Sequence, residues 1–372
     1  FYSATTKLWL KAQLTDMFTF YLRGKNRYWR TFKRDNTPMD EWDNVLSMDI
    51  ATVTGRFWDK RLVVKLGRKF FRVGTGLILN GRADGGEMEF YSSVLNVKVL
   101  GAYSGFLQKD TNTYGLSRKE ITEGAERAFF GGVLSKTVLN QKFYIFDIYQ
   151  KDMNGDNQEY DSNYMAAGVK SVVGSLDVKA EFVYEIGTSR DTISEQESDI
   201  RAYAFNSSAV YYSDISTHPA LYLNYAFASG DSDSICAVDV AGNSQGDDTG
   251  CVSFGTFSGG NALNPELSNL HIARAGWSMK PLDFVEAFWL KRMSVIARYS
   301  YYHKYKEKAP ISDPSATKAK GTVGHGLDVN LRWKIFSDLG FFAGYALFVP
   351  DEAYPQSAGN RTLFFSGLNI QF

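Results

Sequence analysis

The sequence predicts an all-β fold, a transmembrane antiparallel β-barrel, from three observations. Apolar and polar residues alternate with a period of two nearly end to end, which is typical of strands with two different faces. The chain has no run of roughly 20 apolar residues, the length that a membrane-spanning helix needs. It holds 22 Tyr and 27 Phe with a mean hydropathy of −0.26, so it is aromatic-rich without being hydrophobic overall. Transmembrane strands have this composition because only every second residue faces lipid.

The alternation is clearest in three segments, residues 7–11, 177–182 and 327–335. In each, charged side chains share one face and apolar or aromatic side chains share the other. Soluble sandwiches alternate in the same way, but their strands usually have about 5 to 6 residues. Many segments here run to ten or more residues, which is long enough for a tilted strand to cross a bilayer. The length of the segments therefore favours a membrane barrel.

Connections between these segments alternate between tight and long, as they do in outer-membrane barrels. Counting them gives 17 readable strands, the last ending at the periplasmic side. Single-chain bacterial barrels have even strand numbers, so we expect 18 strands, with the first upstream of Phe1; 16 strands remain the alternative. No linker divides the chain, so we expect one barrel domain over residues 1–372. The long connections are predicted near residues 33–44, 74–86, 105–125, 151–160, 187–196, 229–268, 306–324 and 350–359.

The C-terminal segment, residues 365–372, resembles the signal read by the bacterial barrel assembly machinery. It alternates apolar with small or polar residues and keeps Gly367, Ile370 and Phe372 in step. The chain begins at Phe1 rather than Met, so we expect a processed secretory leader. These features predict a multi-pass barrel in the outer membrane of a Gram-negative-type bacterium. The lipid bilayer, lipopolysaccharide and the assembly machinery are its expected partners.

Cys236 and Cys251 are the only two cysteines and lie in one segment rich in Asp, Gly and Ser. In an oxidising envelope such a pair is expected to close a loop disulfide, with two free thiols as the alternative. Neither arrangement implies catalysis or a metal.

Several motifs resemble the alginate-export family of outer-membrane barrels. They are residues 64–72 with 88–91 and 95–99, then residues 225–231, then residues 325–331 with 342–345. The resemblance follows the order of the strands over most of the chain. It implies an 18-stranded monomeric porin that carries an anionic polysaccharide outward. This chain is shorter than the exporter itself, mostly in its loops, so the polysaccharide substrate is not carried over.

If the apolar residue of each pair faces lipid, more bases than acids face inward, although the whole chain has no net charge. Rings of Arg and Lys in a pore favour anions. The alternative is that these charges pair across neighbouring strands and only keep the lumen wet. A bulge at Gly67 leaves open whether Lys65 with Lys69, or Arg68 with Arg72, faces inward. The predicted basic pathway is Arg23, Lys25, Lys65, Arg68, Arg72, Arg298, Arg332 and Arg361.

The acidic loop over residues 230–268 offers oxygen ligands suited to calcium, with Asp231 and Asp233 as weak candidates. It lacks the spacing of an EF-hand, so we expect no cofactor, with a structural calcium ion in this loop as the alternative. The four histidines form no metal-spaced cluster, and no catalytic motif occurs, so we expect no enzyme. The neutral charge balance argues against nucleic acid as a partner.

Together these features lead us to expect a channel for passive passage of anionic solutes, among them acidic oligo- or polysaccharides. The rival hypothesis is a structural or receptor barrel that sheathes or anchors a partner protein at the cell surface. An open water path lined by bases distinguishes the first from the second.

Overall fold

A computed structural model describes residues 1–34, 37–155, 159–191, 196–237, 242–243 and 245–371 of the chain. Seventeen strands, all in one sheet, make up most of this part, and helix is confined to a few short turns. The seventeen strands counted from the sequence are thus confirmed, and the eighteenth stays a prediction. The strands are β1 Tyr2–Gln13, β2 Phe18–Arg34, β3 Thr37–Phe57, β4 Leu62–Arg72, β5 Asn80–Phe90, β6 Asn96–Tyr103, β7 Arg127–Val138, β8 Gln141–Asp152, β9 Tyr160–Val173, β10 Leu176–Arg190, β11 Glu197–Tyr212, β12 Ala220–Ala228, β13 Leu270–Met279, β14 Met293–Lys304, β15 Thr322–Lys334, β16 Leu339–Pro350 and β17 Arg361–Ile370.

The helical turns lie in two connections. A 3₁₀ turn at Lys109–Thr111 and helix α1 at Arg118–Glu123 belong to the connection between β6 and β7, and helix α2 at Phe288–Lys291 precedes β14. A capping box starts α1, because Ser117 accepts from the backbone of Glu120 and Glu120 reciprocates. Within the described residues, no helix is long and apolar enough to pass through a membrane.

The described chain forms two compact units. The first comprises Phe1–Lys136, Phe146–Asn163 and Phe254–Thr256, and the second comprises Thr137–Ile145, Tyr164–Ser253 and Phe257–Phe372. In the first unit, β1 to β7 pair in succession, every pair antiparallel. In the second, β10 to β17 do the same. The single domain expected over residues 1–372 stays a prediction.

Most strands have one face of exposed apolar side chains and one face of polar or buried side chains. In β10, Phe182 is 48% exposed and Tyr184 38%, while the alternating residues Val183 and Glu185 are fully buried. The alternation follows from the pleat, which points successive side chains to opposite sides of a sheet. In a transmembrane barrel the apolar face meets lipid. We call the opposite face the inner face.

The hairpin of β2 and β3 is longer than predicted. A long loop was expected at residues 33–44, but β2 runs to Arg34 and β3 starts at Thr37, so that prediction is wrong. Charged side chains pair across this hairpin. The Arg30 guanidinium donates two hydrogen bonds of 2.7 Å to the Asp40 carboxylate, a bidentate pair that supports strand pairing through polar sequence.

A lysine cluster around Glu87 marks the inner face of the first unit. The buried Glu87 carboxylate lies 2.9 Å from Lys65 Nζ, 2.5 Å from Lys69 Nζ and 2.9 Å from Lys98 Nζ. The register explains this, because Lys65 lies directly opposite Glu87 and Lys98 directly opposite Glu89. One carboxylate of β5 thus compensates three lysines from the two strands that flank it, β4 and β6.

The predicted disulfide is not formed, because the structure holds both cysteines as free thiols. Cys236 is half-buried, whereas Cys251 is 1% exposed and lies beside Glu185. Burial and this carboxylate raise the pKa of the Cys251 thiol well above its usual value. The Cys251 side chain is thus enclosed beside the wall strand β10.

Replacing Glu87 by Gln should lower the free energy of unfolding by about 3 kcal/mol, because three lysines lose the charge that compensates them. Urea-induced unfolding in lipid vesicles would measure the change. The matched control is Glu89→Gln, since Glu89 lies farther from its lysines, at 3.6 and 3.8 Å. We expect less than about 1 kcal/mol there. Equal losses in the two variants would contradict the role given to Glu87.

The thiols of Cys236 and Cys251 should differ in their rates of alkylation in the folded protein. At pH 8 without reductant, we expect iodoacetamide to modify Cys236 quickly and Cys251 only after unfolding, because the thiolate is the reactive form and a raised pKa keeps it scarce. Raising the pH toward the pKa of Cys251 should increase its rate, as far as burial permits. Mass spectrometry would count the adducts. Failure of both thiols to react in denaturant would show that they are joined.

Candidate anion-binding site

The candidate site lies on the inner face of four neighbouring strands, β14 to β17. On β14 and β15, Arg298 lies opposite Asp328 and Ile296 lies opposite Asn330. The next inner position of β15 is Arg332. The intervening residues of these strands are apolar and exposed, for example Leu327 at 40% and Phe364 at 72%. The register therefore turns the polar residues of β14 and β15 to the inner face.

Aromatic rings continue the same face on the next two strands. Phe342 of β16 lies directly opposite Arg332 of β15, and Gly367 of β17 lies opposite Phe342. One step along, Asn330 is opposite Gly344, and Gly344 is opposite Phe365. On the inner face, the cations and amides of β14 and β15 thus lie beside the phenyl rings and glycines of β16 and β17.

A cavity of about 680 Å³ covers this area. Its lining includes three cations, Arg298, Arg332 and Lys334, against one carboxylate, Asp338. It also holds carboxamides and aromatic rings, among them Phe341 and Trp333, so it combines positive charge, hydrogen-bonding groups and apolar surface. The carboxamides are Asn261, Asn330, Asn369 and Gln371, and the rings on the inner face are Phe342 and Phe365.

The three cations form no ion pair with any carboxylate of the described residues. Arg332 and Lys334 are exposed and Arg298 is half-buried. Asp328, the acidic residue opposite Arg298, instead accepts a hydrogen bond of 3.1 Å from the backbone N–H of Asn261. The positive charge of the cavity is therefore available to a solute.

Four other residues of the predicted pathway have carboxylate partners. Lys65 and Arg68 share β4, the other two lie on β2 and β17, and each partner is a cross-strand or loop aspartate or glutamate. The pairs are Arg23 with Asp49 at 2.5 Å, Lys65 with Glu87 at 2.9 Å, Arg68 with Asp84 at 2.8 Å, and Arg361 with Asp313. For these four, the structure has the cross-strand pairing that was the alternative to a basic pathway.

The last two residues of the predicted pathway differ from each other. Arg72 donates a hydrogen bond of 2.6 Å to the carbonyl oxygen of Thr75 and is exposed. Lys25 forms no ion pair within the described ranges. The strand β4 pairs without a register shift at Gly67, where φ is 112°, and Lys65 and Lys69 both contact Glu87. The structure thus groups Lys65 with Lys69 on the inner face.

A short segment of the long connection between β12 and β13 contributes Ser258 and Asn261 to the lining of the cavity. We call residues 258–261 the roof segment. Arg274 Nη2 donates a hydrogen bond of 2.8 Å to the Ser258 carbonyl, and the Tyr302 hydroxyl donates one of 2.7 Å to the Gly259 carbonyl. Asn261 completes the attachment through its hydrogen bond to Asp328. The roof segment is therefore fixed to the inner face at three points.

The two calcium candidates, Asp231 and Asp233, accept hydrogen bonds from backbone groups of their own loop. Asp231 accepts from the backbone N–H groups of Asp233 and Thr249, and Asp233 accepts from that of Gln245. Burial opposes ionisation, but the hydrogen bonds from Asp233 and Thr249 outweigh it and lower the pKa of Asp231. In the part of the chain that the structure describes, no group of three or more potential metal ligands occurs. A structural calcium ion stays a prediction.

The predicted assembly signal is described only in part. Ile370 is 54% exposed at the end of β17, Gly367 faces the Phe342 ring, and Phe372 lies outside the described residues. Its recognition by the assembly machinery stays a prediction.

Sequence reasoning identified Arg298 and Arg332 but missed the phenyl rings and the roof segment. The rings had a detectable signal, because each inner aromatic residue of β16 and β17 faces a glycine on the neighbouring strand. The roof segment had none, because its contacts join positions far apart in sequence.

Comparison with known proteins supports this architecture. The chain matches the family model described as alginate export over residues 125–365. Comparison with curated proteins finds no significant match. Three solved structures cover nearly the whole chain, and their low identity makes them evidence for the fold alone.

The first is OccAB1 of Acinetobacter baumannii, with a TM-score of 0.59, 10% identity, and coverage of 99% of this chain and 89% of that one. The second is OccK2 (OpdF) of Pseudomonas aeruginosa in complex with glucuronate, with a TM-score of 0.56, 13% identity, and coverage of 99% and 92%. The third is OpdK of the same species with vanillate, with a TM-score of 0.55, 12% identity, and coverage of 98% and 92%.

These structures agree with the all-β fold class expected from the sequence, and the alginate-export family model agrees with the expected outer-membrane location and with a channel rather than an enzyme. The family model spans well over half of the chain, including the strands of the candidate site. The chain is an outer-membrane β-barrel channel that belongs to the alginate-export family.

Proposed function

We propose that this channel passes small anionic solutes by diffusion, with the cavity on β14 to β17 as a selective step. The observation that carries the proposal is the set of three cations without carboxylate partners, Arg298, Arg332 and Lys334, in one cavity. Fixed positive groups replace part of the water that an anion loses on entering a confined passage.

The distinction between paired and unpaired cations decides where selectivity arises. Two opposite unit charges 4 Å apart attract by about 4 kcal/mol at an effective dielectric constant of 20. An unpaired guanidinium offers this attraction to a passing carboxylate. The charge of Arg23 is largely cancelled by Asp49 at 2.5 Å, so it offers little. We therefore assign selectivity to the cavity and not to the whole set of basic residues.

Carboxylates are the class of anion that we expect. Arg presents parallel N–H donors that match a carboxylate in bidentate geometry. The solved neighbours were captured with glucuronate and with vanillate, which both carry a carboxylate, and the family description names alginate, a polymer of carboxylated sugars. Acidic oligo- and polysaccharides therefore fall within the proposal.

Reversing both arginines, Arg298→Glu with Arg332→Glu, should change the channel from anion-selective to cation-selective. The expected result follows because the cavity would exchange two positive charges for two negative ones. The measurement is the reversal potential in a planar bilayer with a salt gradient. The control is Lys136→Glu with Lys142→Glu, which makes the same charge change at exposed residues on β7 and β8.

Unchanged ion preference in the arginine variant, with normal conductance, would reject the cavity as the selective step. A wild-type barrel that conducts no ions would instead support the rival hypothesis of a structural barrel that holds a partner protein.

A further inference from the structure

The two phenyl rings of the cavity lie against glycines of the neighbouring strands. A Cβ atom on Gly367 would lie 2.4 Å from Cζ of Phe342, and one on Gly344 would lie 2.2 Å from Cζ of Phe365. Any larger residue would push the rings away from the wall. The ring centroids are 6.4 Å apart and the ring planes meet at 49°. The wall thus presents an apolar surface made of two adjacent rings.

This surface adjoins Arg332 on the neighbouring strand. Arg332 is directly opposite Phe342, one strand away, and paired strands lie about 4.8 Å apart. Ile296 extends the apolar surface on β14, between the inner positions of Arg298 and Ser294. A planar ring with a directly attached carboxylate has the same arrangement of apolar and anionic parts over about the same distance.

Given the anion-channel function proposed above, on which this inference rests, we infer that the cavity binds aromatic carboxylates. The ring of the solute stacks on Phe342 and Phe365, and its carboxylate receives hydrogen bonds from Arg332, with Arg298 adding charge from the next strand. Asn330 is the inner residue of β15 next to Arg332 and lies opposite Gly344, where its amide can pair with a hydroxyl on the solute ring.

The rings distinguish this class from other anions. An inorganic anion or acetate would use the arginines and leave both phenyl faces in water. A sugar acid can place some C–H groups on the rings, but its ring is puckered and the hydroxyl groups at its edge lose hydrogen bonds to water near the phenyl faces. An aromatic ring gains from apolar contact and from offset or tilted ring geometry. The combination of cations and flat apolar surface therefore favours the aromatic acid.

The test is blockade of chloride current through the wild-type channel in a planar bilayer. The probes are benzoate, acetate, glucuronate and benzyl alcohol. Benzoate should block at about tenfold lower concentration than acetate and glucuronate, because ring stacking adds to the charge interaction. Benzyl alcohol should block weakly, because it lacks the charge. Equal blockade by benzoate and acetate, or stronger blockade by glucuronate, would overturn the inference.

A double variant that keeps the cations of the cavity and removes its two inner phenyl rings tests the ring contacts. Phe342→Leu with Phe365→Leu should raise the half-blocking concentration of benzoate about tenfold and leave that of acetate unchanged. The matched control is Phe364→Leu, which changes an exposed phenylalanine on the opposite face of β17. Chloride conductance and heat-modifiable migration in gels would show that each variant has folded. Benzoate blockade that is equal in wild type and in the double variant would overturn the ring contacts.

The two proposals fail separately. If the arginine reversal leaves ion preference unchanged, the anion channel is rejected. If that reversal changes ion preference but benzoate has no advantage over acetate, only the aromatic specificity is rejected.

Discussion

Strand register is the constraint on which the rest of this structure depends. Backbone groups in a bilayer must find their hydrogen bonds within the protein, so transmembrane strands pair along their whole length. A shift of one residue would move every side chain of a strand to the opposite face. From β14 to β17 the register places cations and amides on two strands and phenyl rings and glycines on the next two. The mixed character of the cavity is therefore a direct product of backbone pairing.

Basic side chains on the inner face occur in two arrangements, with and without a carboxylate partner. In the first unit, Lys65, Lys69 and Lys98 surround a buried carboxylate, and Arg23 contacts Asp49. Such pairs keep a wet surface neutral and connect neighbouring strands. In the second unit, Arg298 and Arg332 have no carboxylate partner within the described ranges. Arg361 of the same unit is paired with Asp313, so compensation at most of these bases and available charge at a few explain how a chain of zero net charge can hold a positive site.

Alternation alone was enough to predict the strands, their number and the inner position of Arg298 and Arg332, because period two is a local property of the sequence. It could not show which bases find an acid. Those pairs depend on register and on irregularities such as the shift opposite Asp49, between Arg23 and Gly24, and the positive φ of Gly67. The loop expected at 33–44 failed for a related reason, since cross-strand ion pairs allow polar residues to continue a strand. The disulfide failed because cysteine spacing carries no information on burial.

The ring surface of the cavity depends on the last two strands of the described chain, because Phe365 lies on β17 and its partner Gly344 lies on β16. The cations come from β14 and β15, but the ring surface requires β16 and β17, the last two strands of the described chain. A sheet that has paired only as far as β15 would already hold its arginines and could attract anions, yet it would treat them all alike. Discrimination between aromatic and other anions would require β17 to be paired with β16. Selectivity for a ring, rather than passage of charge, is the property that would mark a completed barrel wall.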